Sequence, residues 1–281
     1  VRISIVDNIK ITILVDNQAL GGLASEHGLS LWIGADGRHI MLDTGQGEAL
    51  EKNAAALGID LNGTDILVIS HGHYDHTGAL PYVLAQAPDV EVYCHPEVVQ
   101  TRYAIRDGEA KSIGMPEPAL QTFRDHSPGR VNAVEGPTML SKNVGVVAAI
   151  PRRTAYEDTG GPFYLDPQGQ TPDLIEDDLA LWIRTDTGVI VCLGCAHAGP
   201  INTLQHIRDL TQGARIRAVV GGFHLMDASR VRVDRTIDAL VHLEPDLVVP
   251  CHCTGKTTFG PLREALGGRM QEGSAGMVLR F

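Results

Sequence analysis

The sequence predicts an α/β protein in which two packed sheets are flanked by helices. Three observations carry that expectation. Short β-branched or wholly apolar runs recur along the chain, as buried strands require. Segments with helical apolar spacing stand between them. Both halves share one plan, in which buried strands each end in a polar turn, so the strand ends are expected to meet at a common site.

The elements follow in order. Ile11–Val15 is a β-branched run. Leu29–Ile33 and His39–Leu42 flank Gly34-Ala35-Asp36-Gly37, a hairpin signal. Glu48–Leu57 carries apolar Ala49, Leu50, Ala54 and Leu57 at helical spacing, and Gly58 is placed to end that helix. Ile66–Ile69 reads as a buried strand running into the turn Ser70–Gly78. A helix over Ala79–Gln86 tolerates Pro81 in its first turn, and Val90–Tyr93 is another strand. Residues from about 97 to 175 differ, with eight prolines between Pro116 and Pro172. Only Val131–Val134 and Val144–Ala149 read as strands there, and the remainder reads as long loops forming a lid. Leu179–Arg184 and Val189–Leu193 form a hairpin through Asp186-Thr187-Gly188. The helix Pro200–Leu210, the strand Ile216–Val220, the helix Val231–Leu243 and the strand Leu247–Val249 complete the series. All are read as one domain spanning 1–281, because donors from both halves must share one site.

Composition narrows the function. The 281 residues carry a net charge of −11, which argues against nucleic acid as the main partner. An anionic small molecule remains compatible, because a bound metal reverses the local field. No apolar run is long enough for a membrane span, and the N-terminus lacks the basic and apolar segments of a signal peptide. The expectation is a cytoplasmic protein without membrane partners. Five cysteines in a chain of this length do not suggest a disulfide framework. No Gly-rich dinucleotide fingerprint appears.

The chemistry sits in His71-Gly72-His73-Tyr74-Asp75-His76-Thr77-Gly78, directly after a buried strand. A lone histidine reads as packing. Three histidines and a carboxylate within six residues read as a donor set. Imidazole and carboxylate suit zinc or another borderline divalent ion, and the supply is large enough for two.

The His-x-His-x-Asp-His run resembles the signature of the metallo-β-lactamase superfamily. Leu42-Asp43-Thr44-Gly45 is similar to its upstream strand-end motif. Gly194-Cys195-Ala196-His197, Gly221-Gly222-Phe223-His224 and Pro250-Cys251-His252-Cys253 resemble a subfamily of dihydropterin–ribofuranosylaminobenzene phosphate synthase-like hydrolases. Glu26-His27-Gly28-Leu29-Ser30 and Ile150-Pro151-Arg152-Arg153 also fit it. The resemblance implies a four-layer αββα sandwich and two divalent ions, with zinc, manganese or iron all acceptable. His71, His73 and His197 would hold the first ion, and Asp75, His76 and His252 the second. Asp43 would orient a ligating histidine. The family pattern has a bridging Asp where this chain has Cys195, which leaves Cys195, Asp178 and a bare hydroxide as candidates for the bridge. The implied activity is hydrolysis of a small phosphoester or phosphodiester by a bridging hydroxide, with Asp75 orienting the nucleophile. His224 would contact substrate or protonate the leaving group, and Arg153 would bind substrate charge. A lactone or amide hydrolase is the alternative enzyme, and a metal-binding sensor or redox module the alternative class. Cys251 and Cys253 are expected to pack away from His252, and His27 to pack or face solvent.

Overall fold

The computed structural model describes residues 8–126 and 129–281. Residues 1–7, on which part of the signal-peptide reading falls, and 127–128, which include Pro128, lie outside the description. Among the described residues, two sheets lie face to face. The first runs in the spatial order Val278–Arg280, Lys10–Val15, Ser30–Ala35, Arg38–Leu42, Ile66–Val68, Glu91–Cys94 and Val131–Ala133. The second runs Leu247–Cys251, Ile216–Gly222, Gly188–Leu193, Ala180–Thr185, Val144–Val147 and Thr138–Met139.

Side-chain alternation builds the layers. Ile11, Ile13, Leu31, Ile33, Ile40 and Leu42 point inward and meet Val144, Val146, Leu181, Ile183 and Ile190 of the second sheet. The alternate residues Trp32, Met41 and Leu67 face outward and are covered by Leu50, Leu80 and Val83 on the helices Leu50–Ala56 and Leu80–Gln86. On the far side Trp182, Val191 and Val219 pack under the helices Pro200–Leu210, Arg230–Leu243 and Lys256–Leu266. The result is the αββα order. Asp36 and Gly37 both take positive φ, 53° and 73°, which is the two-residue hairpin turn that the Asp-Gly pair favours.

The segment 97–175 holds the two strands expected within it. Val131–Ala133 pairs with Glu91–Cys94 in the first sheet, and Val144–Val147 pairs with Ala180–Thr185 in the second. What stands apart is a small sheet of Phe163–Tyr164, Tyr103–Arg106 and Glu109–Ser112, with the helix Glu117–Asp125 following its last-named strand. These strands are short, and Glu109–Ser112 is exposed throughout, so no apolar alternation announces them. The Lys256–Leu266 helix was hidden by Pro261 in its interior, and Val278–Arg280 by its length of three residues.

Strand direction positions the site. Arg38–Leu42, Ile66–Val68 and Glu91–Cys94 are parallel neighbours, as are Gly188–Leu193, Ile216–Gly222 and Leu247–Cys251. Their carboxyl ends deliver Asp43, the His71–His76 turn, Cys195 with His197, His224, and His252 with Cys253.

Candidate metal centre

His71, His73 and His197 place one ring nitrogen each within 4.8 Å of one another. His71 Nε2 and His73 Nδ1 are 2.9 Å apart. The second expected set is brought together only in part, because Asp75 and His252 group with His27, and His76 groups with His71 and Cys195. Asp75 Oδ2 lies 3.2 Å from His252 Nε2 and 3.9 Å from His76 Nε2. Cys195 stands between the sets. Its Sγ is 3.1 Å from His76 Nε2, and it shares donor groups with His71 and His76, with His197 and His224, and with His252 and Cys253.

Outer hydrogen bonds fix which nitrogen each ring turns inward. His76 Nδ1 donates to Asp43 Oδ2 at 2.7 Å, and His197 Nδ1 donates to the Thr159 carbonyl at 2.7 Å. Both acceptors lack a proton, so both rings carry hydrogen on Nδ1 and turn Nε2 toward the other donors, where His76 Nε2 meets Cys195 Sγ. His252 Nδ1 reaches Asn17 Oδ1 at 2.8 Å, and that oxygen also accepts from the Gly28 N–H. Ser70 Oγ donates to Asp43 Oδ2 and lies 2.9 Å from His71 Nδ1. The buried Nε2 atoms of His73 and His197 have no hydrogen-bond partner, and His252 Nε2 faces the Asp75 carboxylate. Buried polar atoms are seldom left that way unless a ligand completes them. The donors therefore fit divalent cations, held by imidazole, carboxylate and thiol.

The electrostatics agree. Burial, reinforced by the neighbouring histidines, drives His71, His73 and His197 well below the usual imidazole range. Burial opposes charge on His76, but Asp43 and Asp75 outweigh it and raise that ring to about 9. Burial likewise opposes charge on Asp75, yet His76, His252 and His27 hold its carboxyl well below the usual range. Burial works against the Cys253 thiolate too. The hydrogen bond from Cys195 and the nearby His224 and His252 outweigh it and pull Cys253 down, while Cys195 is held up as the thiol. Asp43, Ala196, His224 and His252 all have positive φ, so backbone strain gathers at these strand ends.

Several expectations shift. Asp178 does not stand between the histidines. Its Oδ2 accepts the Ala198 N–H at 2.8 Å behind the His197 turn, and Cys195 takes the central position. Arg153 lies outside the cavity, half exposed and paired with Asp209 at 2.6 Å. The guanidinium at the cavity is that of Arg106, while Arg152 donates to the His197 carbonyl at 2.8 Å. Cys253 faces the site rather than packing away, because the strand stops at Cys251 and the chain turns at His252 with φ 49°. Cys251 stays in the core between the sheets. His27, carrying no pattern of its own, has its Nε2 3.2 Å from Asp75 Oδ2. The signal for it lay in the flanking Glu26, which accepts the N–H groups of Gln46, Glu48 and Ala49 and so pins this loop beside the site.

Beside the donors is a cavity of about 190 Å³. Tyr74, Ile113, Phe163 and Met226 give it an apolar wall, and His224 and Arg106 add polar groups. The His224 ring packs 4.4 Å from His197 and its buried Nδ1 has no partner.

Asp178 gives a pH-dependent prediction. Burial lifts its carboxyl from 3.8 to about 7, against the lowering effect of the Ala198 N–H. The folded chain thus binds this proton more tightly than the unfolded chain does. The stability it contributes is full below its ordinary pKa and is lost as pH rises through the folded value. Asp178→Asn is expected to flatten the fall in stability of chelator-treated protein between about pH 4 and pH 7. Denaturant unfolding at several pH values checks it.

The matches to known proteins follow the same lines. Residues 26–252 match the profile of the metallo-beta-lactamase superfamily, and the chain belongs to that superfamily. It is 28% identical over 288 residues to 7,8-dihydropterin-6-methyl-4-(beta-D-ribofuranosyl)-aminobenzene-5'-phosphate synthase of Methanocaldococcus jannaschii, covering 98% of each chain. The crystal structure of Tm1679, described as a metal-dependent hydrolase of the beta-lactamase superfamily, superposes with a TM-score of 0.81 at 31% identity, covering 96% of this chain and 98% of that one. YhfI from Bacillus subtilis shares the fold alone, with a TM-score of 0.60 at 9% identity, 98% of this chain and 100% of that one being covered. No helix among the described residues is long and apolar enough to cross a membrane.

Proposed function

We propose that the chain is a metal-dependent hydrolase of small phosphoesters or phosphodiesters that works with two divalent cations. One observation carries the reading. Three rings are fixed from outside by Asp43, Thr159 and Asn17, so that each turns its Nε2 toward the neighbouring His, Asp and Cys donors. His71, His73 and His197 would hold one cation. Asp75, His76 and His252 would hold the other, with Cys195 between them. Cations held there would supply Lewis acidity and a water acidic enough to attack at neutral pH.

The remaining work falls to the chain. Asp75 is kept ionised and accepts hydrogen bonds, so it orients the attacking water. His224 stands on the cavity wall and delivers a proton to the leaving group. Phe163, Ile113 and Met226 exclude bulk water around the reacting group. His224→Ala is then expected to slow hydrolysis about 10²-fold for a poor alcohol leaving group. The loss should be much smaller for p-nitrophenolate, which needs no proton, and paired kinetics on the two esters reads the difference.

The test is a screen of p-nitrophenyl phosphodiesters, phosphomonoesters and lactones after loading with Zn²⁺ or Mn²⁺. Close to two metal equivalents per chain and chelator-sensitive phosphodiester turnover are expected. Turnover of lactones alone moves the assignment to carbonyl hydrolysis. A fully loaded protein inert on every ester overturns the hydrolase reading. The relationship to a synthase favours a second reading, in which the activated group passes to an acceptor other than water. Adding an aromatic amine to the same screen and analysing products separates the two. A chain that binds no metal is neither.

A further inference from the structure

A second cavity, of about 420 Å³, adjoins the first. Arg106 and Asp227 line both, and they pair with each other at 2.8 Å. That pair is 61% and 51% exposed, so it is a weak partition that a substrate can part. The other wall between the cavities is the Thr159–Pro162 strap, whose Gly160 lies so close to the His224 ring that a Cβ there would clash.

The second cavity is built around Arg232. The residue is 1% exposed, and its Nη1 donates to Asp158. Its Nε and Nη2 are buried and have no hydrogen-bond partner. A buried guanidinium left short of acceptors is costly, and Asp158 compensates poorly because that side chain is 73% exposed. Arg232 also sits in the first turn of the Arg230–Leu243 helix, beside Arg230, with no acidic residue in that turn. The helix dipole disfavours cations at this end and favours anions. Ser229, which caps the helix, lines the same cavity. Arg230 is already taken by Asp234, so the undersatisfied Arg232 and the helix N-terminus together point to one missing anion.

We propose that this cavity is an anion subsite, in which Arg232 and the helix N-terminus hold a phosphate group at the far end of the substrate. The proposal rests on the hydrolase reading, and it extends that reading to an elongated molecule. The reacting group lies among the histidines, and a second, unreacted phosphate lies beyond Arg106. Asp158 acts as the stand-in acceptor that the phosphate displaces.

Two probe pairs test it on the metal-loaded protein. The first pair is a p-nitrophenyl phosphodiester whose other arm ends in a phosphate or in a hydroxyl. The second pair is the corresponding non-hydrolysable phosphonates. The phosphate-ended phosphonate is expected to bind about tenfold more tightly by calorimetry. Arg232→Gln is expected to make the two phosphonates bind equally. Asp158→Asn removes the internal competitor from an exposed position, and should tighten the phosphate-ended probe about threefold or more. If Arg232→Gln does not fold, the Asp158→Asn result decides alone, since a purely structural Arg232 predicts no tightening. Equal binding of the pair by the unaltered protein overturns the subsite even where both diesters are hydrolysed. Preferential binding that depends on Arg232, without turnover of either diester, upholds the subsite and removes the phosphodiester reading instead.

Discussion

Replacing His73 with alanine is expected to remove about one metal equivalent and to lower turnover by well over 10²-fold. The loss of an outer partner to a ligand usually costs 10- to 100-fold, and here a ligand itself is lost. His73 Nδ1 faces His71 Nε2 across 2.9 Å, inside a group that His197 completes. Removing the ring leaves two donors where three converged. The variant should fold, because burial already holds this imidazole neutral and its Nε2 has no partner to lose. Elemental analysis, circular dichroism and kinetics on one preparation check the three parts together. Full metal content with full activity would remove His73 from the donor set. Asp43→Asn provides the graded comparison. It keeps the shape but loses the charge that holds His76 protonated on Nδ1, so a loss of about 10- to 100-fold in metal affinity is expected.

The contrast between these positions shows what the sequence made legible. The His71–His76 run was visible because its donors are adjacent in the chain, and its place after the apolar Ile66–Ile69 run put it at a strand end. Asp43, His197 and His252 were legible through short motifs at other strand ends. What could not be read was direction. Cys253 required a turn with positive φ at His252, and nothing in Cys-His-Cys dictates one. The chemistry of Arg153 suits an anion, but an exposed Asp209 holds it at the surface, while Arg106 comes from a short strand with no distinctive pattern. Arg232 sits in the Val231–Leu243 helix, where no apolar spacing marks it. Its burial follows from packing between the helix and the 158–162 strap, which are over sixty residues apart in sequence. The layers themselves were the most legible part, since β-branched and apolar runs mark the buried strands that turn Ile11, Ile13, Ile40 and Leu42 inward.

Gly72→Ala is expected to damage the metal centre and the fold together. A Cβ at residue 72 would lie 2.1 Å from the Val98 carbonyl oxygen and 2.9 Å from its carbon. Both are backbone atoms, so no side chain can rotate away. Either the Pro96–Val99 turn or the histidine turn must move. The Gly72 N–H is tied to Asp177 Oδ2 at 2.8 Å, and Asp177 is held by the buried Arg102, which also faces Asp173 at 3.3 Å. Displacing Gly72 therefore strains an ion network in which every member is buried, and leaves the Asp177 carboxylate short of a donor. His71 and His73 flank Gly72 and move with it. The variant should lose metal and activity as His73→Ala does, and in addition lose about 3 kcal/mol or more of stability in the metal-free state. That second loss distinguishes it, because His73→Ala removes a donor without forcing the backbone. Gly34→Ala is the control, since a Cβ there meets only the Lys10 carbonyl oxygen at 3.9 Å. It should leave metal content unchanged and stability within about 1 kcal/mol. Denaturant unfolding of the three chelator-treated variants reads the difference. A Gly72→Ala protein as stable as the control would mean that the turn yields freely, and the histidine geometry would then owe little to the backbone behind it.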